Sequence, residues 1–185
     1  MEIKDLIKKI SIIDGDEVTL DLVKQCIDLD NLVYPGDYLV DFSVSKHYFE
    51  KNPYIYYMAV LDDQLVGYVN FCPVKDSFYN KMKSGKYIDT ILTGNDILKY
   101  EMNKEYSNYF ASIVIHKDYQ HYGLANKLME KIKERIGKLK LERNITIKRI
   151  VADVLNDGGK KLVSKLGLKE IYKSNHNTII AEWEA

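Results

Sequence analysis

Ile113-Val114-Ile115-His116-Lys117-Asp118-Tyr119-Gln120-His121-Tyr122-Gly123-Leu124-Ala125 is the stretch on which the reading of this chain turns. Its opening residues close an apolar run, Tyr109 to Ile115 (YFASIVI), that reads as a buried strand. After a short polar loop, Gly123 opens a helical pattern with Leu124, Leu128, Ile132 and Ile136 at four-residue intervals, ending near Gly137 and Lys138. Amides of such a loop and of the first helical turn have no intrahelical carbonyl to meet. Together with the positive end of the helix dipole they make a site for a phosphate or pyrophosphate. Gly123 lets a ligand approach the backbone with no Cβ in the way, and Ala125 keeps the next position small. Gln120 and His121 can add side-chain donors.

Downstream, Ile145 to Leu155 reads as another strand. Asn156-Asp157-Gly158-Gly159 then leads into a short helix, Lys160 to Leu166, stopped by Gly167. Two last strands, about 169–173 and 178–183, flank a turn at Ser174-Asn175-His176-Asn177. Upstream, residues 16–29 place Val18, Leu22, Cys26 and Leu29 on one helical face, with Asp16 as N-cap, and Ser43 to Glu50 form a second short helix. Tyr54 to Leu61 and Gln64 to Phe71 make a hairpin about Asp62-Asp63, closed by Pro73. The order implies an α/β fold with a mixed sheet. Between hairpin and strand, Val74 to Ser107 is polar and aromatic with turn signals, a length that marks a functional or mobile segment.

Composition narrows the function class. The 185 residues carry 27 basic and 27 acidic side chains, without the cationic excess usual in nucleic-acid-binding domains. Two cysteines, Cys26 and Cys72, provide no disulfide framework, and the four histidines lack metal-ligand spacing. No apolar run is long enough to span a membrane, so a cytoplasmic protein is expected. The zero net charge hides two poles: residues 1–50 hold five Lys against eleven acids, and residues 116–149 hold ten Lys and Arg against four. An anionic ligand near the second segment and a cationic one near the first would fit.

Two motifs in register carry a resemblance. Gln120-His121-Tyr122-Gly123-Leu124-Ala125 is similar to the Gln/Arg-x-x-Gly-x-Gly/Ala hallmark of the GNAT superfamily of acyl-CoA-dependent N-acyltransferases. Asn156, Gly159 and Gly167 match its second hallmark after the following strand, and the hairpin ending in Leu65-Val66-Gly67-Tyr68-Val69 resembles its second and third strands. The likeness covers about 54–71 and 109–183. It implies a central mixed, mostly antiparallel sheet of six to seven strands flanked by helices and splayed at the fourth strand. One domain over 1–185 would carry an insertion at about 74–107, between the third and fourth strands, as a specificity-setting lid.

The resemblance further implies acetyl-CoA as acyl donor. The backbone of Ile113, Val114 and Ile115 would bind the pantetheine arm, and an amide there would stabilise the thioester oxyanion. Gln120, His121, Tyr122, Gly123, Leu124, Ala125 and Asn126 would hold the pyrophosphate, and Asn156 would reach the pantetheine from the other lip. The acceptor would be a small-molecule amine or a peptide presenting a Lys or an N-terminus. No nucleic acid, membrane or metal is implied, and the Tyr-rich insertion and last hairpin could serve a homodimer.

The catalytic groups depart from the pattern. Where the family commonly places a Tyr acid seven residues after the Asn, this chain has Val163, and the usual Glu on the fourth strand is missing. That strand offers Tyr109, the better candidate, and Ser112; Asp89, Asp96, Glu101 and Glu105 of the insertion could line the substrate side if it folds over the cleft. Two readings follow: an N-acetyltransferase working by direct amine attack in a ternary complex, or a CoA-binding regulatory module that has lost catalysis. A nucleotide-binding enzyme lacks both the P-loop Lys-Ser/Thr and a Gly-x-Gly-x-x-Gly.

Overall fold

The computed structural model describes residues 3–185. Along the chain come α1 (Ile3–Lys9), β1 (Ser11–Asp14), α2 (Leu20–Asp30), α3 (Phe42–Lys51), β2 (Tyr56–Leu61), β3 (Gln64–Val74) and α4 (Asp76–Lys83). They are followed by β4 (Glu105–Ile115), α5 (Leu124–Arg143), β5 (Thr146–Val154), α6 (Asp157–Val163), β6 (Lys169–Lys173) and β7 (Ile179–Glu184). The strands form one seven-stranded sheet in the order β1-β2-β3-β4-β5-β7-β6. Every pairing is antiparallel except β4 with β5, which are parallel. The mixed sheet is the one the order of elements implies and its mostly antiparallel pairing the one the resemblance implies, while β1 is a strand the sequence pattern did not reveal.

Alternation along the strands sends apolar side chains to both faces. In β2, Tyr57, Ala59 and Leu61 join a core with Leu124, Leu128, Met129 and Ile132 of α5, while Tyr56 and Met58 face Val23, Cys26 and Leu29 of α2. The sheet is thus sandwiched between α1, α5 and α6 on one side and α2, α3 and α4 on the other.

Several boundaries shift for local reasons. Helix α2 starts four residues later than Asp16: Thr19 is the N-cap, its hydroxyl accepting from the Leu22 amide at 3.3 Å. Asp16 instead takes a 2.7 Å hydrogen bond from Tyr54. Helix α5 runs past Gly137 to Arg143 and stops where Asn144 turns left-handed at φ 50°. Gly137 sits on its exposed side, so a missing side chain there breaks no packing. Helix α6 begins at Asp157, capped by Asn156, whose Oδ1 accepts from the Gly159 amide at 2.9 Å.

The stretch 74–107, expected as a lid, is built into the body of the protein. Phe78, Tyr79 and Met82 of α4 are at most 2% exposed. Asp76 bonds Ser107 at 2.6 Å and pairs with Arg149 at 3.0 Å, fixing α4 to β4 and β5. Further along, Tyr48 of α3 and Asn52 just after it donate to the carbonyls of Leu92 and Leu98 at 2.6 and 2.7 Å.

Candidate active site

Where β4 meets β5 the sheet opens. The two strands pair from Glu105↔Thr146 to Phe110↔Ala152 and no further, although β4 runs on to Ile115. On its other edge β4 stays paired with β3 to Gly67↔Ile115, with one irregularity: Asn70 faces Ser112 while Phe71 faces Phe110. Ala111 is therefore bulged out of the ladder. The bulge resets the alternation, so that Ala111 and Ser112 both lie on the α2 side while Ile113 faces the α5 side. A cavity of about 720 Å³ occupies the opening.

At one end of this cavity stands the start of α5. Gly123 adopts φ 82°, a left-handed conformation, and a Cβ built there would meet nothing within 4 Å. The first bond of the helix closes from the Lys127 amide to the Gly123 carbonyl at 3.1 Å, leaving the amides of residues 124–126 without an intrahelical carbonyl. His121 is also left-handed, at φ 67°. The Gln120 amide group donates to the Ile115 carbonyl at 3.0 Å, so this side chain braces the loop against the end of β4. Lys165, just after α6, donates to Asn126 and adds a positive charge at the mouth.

Residues 113–115, Gln120, His121, residues 123–126 and Asn156 all line the cavity, as does Val163. Tyr122 is 39% exposed and is not part of the lining. Tyr109 is fully buried behind it, edge-on to Phe78 with ring centroids 5.4 Å apart, and its hydroxyl donates to Asp89 at 3.1 Å. Of the four acids considered in the insertion, Asp89 reaches the cavity. Asp96 caps Thr93, Glu101 pairs with Lys104, and Glu105 is exposed.

The other end of the cavity is acidic. Asp30, from the last turn of α2, and Asp153, near the end of β5, line it along with Asp89. Burial raises the carboxyls of Asp30 and Asp89 to about 7, with the Tyr68 and Tyr109 hydrogen bonds opposing the shifts. Asp153 is raised as well, again chiefly by burial. The signal for Asp153 was one acid inside an apolar strand; Asp30 had none, because it looks like a solvated residue at a helix end.

A chain of hydroxyls connects the bulge with Asp30. Tyr34 meets Ser112 at 2.9 Å and the Ile113 carbonyl at 3.3 Å. Ser112 donates to Tyr68 at 3.2 Å, and Tyr68 donates to Asp30 at 2.5 Å. Burial pushes the Tyr34 phenol up to about 12 and raises Tyr68 as well, so both stay protonated at neutral pH. Both cysteine thiols are also raised by burial, which leaves them poor nucleophiles.

The family model described as "Acetyltransferase (GNAT) family" matches residues 23–168, most of the chain and the whole of the site. The chain belongs to the GNAT acetyltransferase family. Solved GNAT structures share its fold at low identity. The loading GNATL domain of CurA from Lyngbya majuscula has a TM-score of 0.68 at 14% identity, covering 95% of this chain and 97% of that one. The GphF GNAT-like decarboxylase in complex with isobutyryl-CoA has 0.64 at 9% identity, covering 94% and 98%. The NatC complex bound to Gag peptide and CoA has 0.62 at 12%, covering 94% and 96%. No curated protein sequence matches the chain. Among the described residues no helix of this GNAT member is long and apolar enough to cross a membrane.

Proposed function

We propose that this GNAT protein transfers an acetyl or other short acyl group from acyl-CoA to a primary amine, by direct attack of the amine in a ternary complex. The parting of β4 from β5 beyond Phe110 and Ala152 is the observation that carries the reading. It gives β4 an edge free of strand partners inside a cavity, with unsatisfied helix amides at one end and carboxylates at the other. The donor set fits CoA: amides of residues 124–126 and the open space over Gly123 for the pyrophosphate, the β4 edge and Asn156 for the pantetheine. When bound, acyl-CoA supplies an activated thioester carbonyl. We assign the whole chain to one acyltransferase domain, with 74–107 as its insertion.

The acceptor amine arrives as an ammonium and must lose a proton before it can attack. The hydroxyls of Tyr34, Ser112 and Tyr68 can all donate in one direction, toward Asp30. A proton entering at Tyr34 would leave as a proton on Asp30, whose carboxyl, titrating near 7, is matched to that task at neutral pH. The relay runs through Ser112 of β4, the strand on which the resemblance leads one to expect a Glu. Tyr109, the candidate from sequence, would act on the acceptor only through Asp89.

One observation favours a CoA-binding module without catalysis: Val163, 3% exposed, stands where a Tyr acid is usual. Thiol release from acetyl-CoA in the presence of a panel of amines separates the two readings. An enzyme gives amine-dependent release that falls by about tenfold to a hundredfold in Asp30→Asn. A binding module gives release that no amine accelerates, with acetyl-CoA affinity intact.

A further inference from the structure

Among the described residues that line the cavity, the acidic side chains are Asp30, Asp89 and Asp153, with no Lys or Arg in the lining. One buried and two half-buried carboxyls without a cation are costly to ionise, and native interiors almost always pair such groups. Asp30 has its place in the hydroxyl relay and Asp89 accepts from Tyr109. Asp153 stands apart. It is 9% exposed, it lines the cavity, and neither of its carboxylate oxygens has a hydrogen-bond partner. The Thr178 hydroxyl, which meets Ser174 at 2.5 Å, lies close enough to hold the Asp153 carboxyl down without closing a hydrogen bond to it. The buried hydroxyl of Tyr38, also in the lining, is likewise without a partner.

Taking the amine-acceptor reading above as its basis, we propose that Asp153 and Asp89, with the Tyr38 hydroxyl, form a subsite for a second positive charge on a small acceptor, a diamine or polyamine. The reacting amine would sit toward Tyr34 and Ser112, and the second ammonium between the two carboxylates, with Tyr38 free to hydrogen-bond it. Asp89 and Asp153 repel each other: after burial, Asp153 is a cause of the raised Asp89 carboxyl, while the Thr178 hydroxyl and then His176 offset part of the shift that burial causes at Asp153. An ammonium between them would relieve that repulsion and restore both to the ionised form.

Two features select this class of ligand. No three acidic, His or Cys side chains among the described residues converge closely enough to hold a metal ion, so the carboxylates suit an extended organic cation. The turn 36–38, which carries Tyr38, packs against the turn 89–91, which carries Asp89. That contact fixes Tyr38 and Asp89 relative to each other in the cavity lining, and a compact, preformed set of polar groups suits a small molecule.

The test is calorimetric titration of putrescine, spermidine, butylamine and a lysyl peptide into the protein, with and without CoA, for the wild type, Asp153→Asn and Asp89→Asn. The expected result is that putrescine or spermidine binds about thirtyfold or more tighter than butylamine, and that this ratio falls about tenfold in Asp153→Asn. Thermal melts of each variant establish folding, and removal of an unpartnered buried charge should leave Asp153→Asn at least as stable as the wild type. Diamine and monoamine binding within about threefold of each other, a ratio unmoved by both substitutions, no diamine binding, or tighter binding of the lysyl peptide would each overturn the subsite. Thiol release measured in parallel keeps the two proposals apart. Diamine binding without turnover contradicts the enzyme and spares the subsite, whereas turnover without diamine preference does the reverse.

Discussion

The Tyr68 hydroxyl donates to the Asp30 carboxylate at 2.5 Å, and Tyr68 in turn accepts from Ser112 at 3.2 Å. Tyr68 comes from β3 and Asp30 from the last turn of α2, so the bond ties the acidic end of the cavity to the bulged strand. The Ala111 bulge makes it possible, because without that extra residue Ser112 would face α5 instead. If the relay carries the proton of the attacking ammonium, Tyr68→Phe and Asp30→Asn should each lower kcat by about tenfold to a hundredfold, with KM for acetyl-CoA little changed. The wild-type rate should rise with pH through about 7, where Asp30 ionises, and Asp30→Asn should lose that limb. A pH–rate profile of both proteins checks this.

The same carboxyls make the ligand-free protein sensitive to pH. Asp30 and Asp89 keep their protons up to about 7 in the folded state, against 3.8 for the ordinary carboxyl. Between those values the folded state binds more protons than the unfolded chain, so stability falls as pH rises. The slope is about 1.4 kcal/mol per pH unit for each carboxyl at most. Asp76, lowered to about 2 chiefly by its Ser107 hydrogen bond, works in the opposite sense and mainly below the ordinary carboxyl range. Thermal melts at about pH 5 and pH 7.5 should show the higher Tm at the lower pH, and Asp89→Asn should narrow the gap.

Gly137 offers a gain in stability at no functional cost. It lies within α5 on the exposed side, and a Cβ there would meet nothing within 4 Å. Gly137→Ala should stabilise the protein by about 0.5–1 kcal/mol, since glycine loses more backbone freedom in a helix than alanine. Denaturant unfolding would reveal it as a raised midpoint at unchanged m-value.

The 74–107 segment behaves as structure first. Phe78 is 2% exposed and packs edge-on against Tyr109, so Phe78→Ala should cost about 3–5 kcal/mol. Excising the segment should unfold the protein, whereas exchange of Leu92, which lines the cavity near Asp89, should alter acceptor preference without lowering acetyl-CoA affinity. Chemical denaturation of Phe78→Ala and a substrate profile of Leu92→Ala measure the two effects separately.

The pyrophosphate end of the site was legible because it is local: strand, loop, Gly123 and helix follow one another in thirteen residues. The acidic end was not, because it is assembled from residues far apart in the chain. Asp30, Tyr68, Asp89, Ser112 and Asp153 come from five elements, and a Tyr or Asp at each of those positions looks individually like core filler or a solvated charge. Asp89 could be considered in advance only on the condition that its segment reaches the cleft, and its side chain does line the cavity. Helix ends were misplaced where caps compete: Asp16 and Thr19 both suit the start of α2, and packing of Leu22 and Val23 decides for Thr19. Strand β1 escaped notice because four residues carry too little alternation to stand out.

Titration of the purified protein with acetyl-CoA, alongside Gly123→Glu, tests the central assignment most directly. The glutamate would project into open space, so the fold should survive with a modest strain from the left-handed backbone, while a negative charge fills the cradle of amides at the start of α5. The account predicts wild-type binding with a Kd on the order of micromolar, and a loss of about a hundredfold or more in a variant that still melts cooperatively. Acetyl-CoA binding of equal strength in both proteins would contradict it.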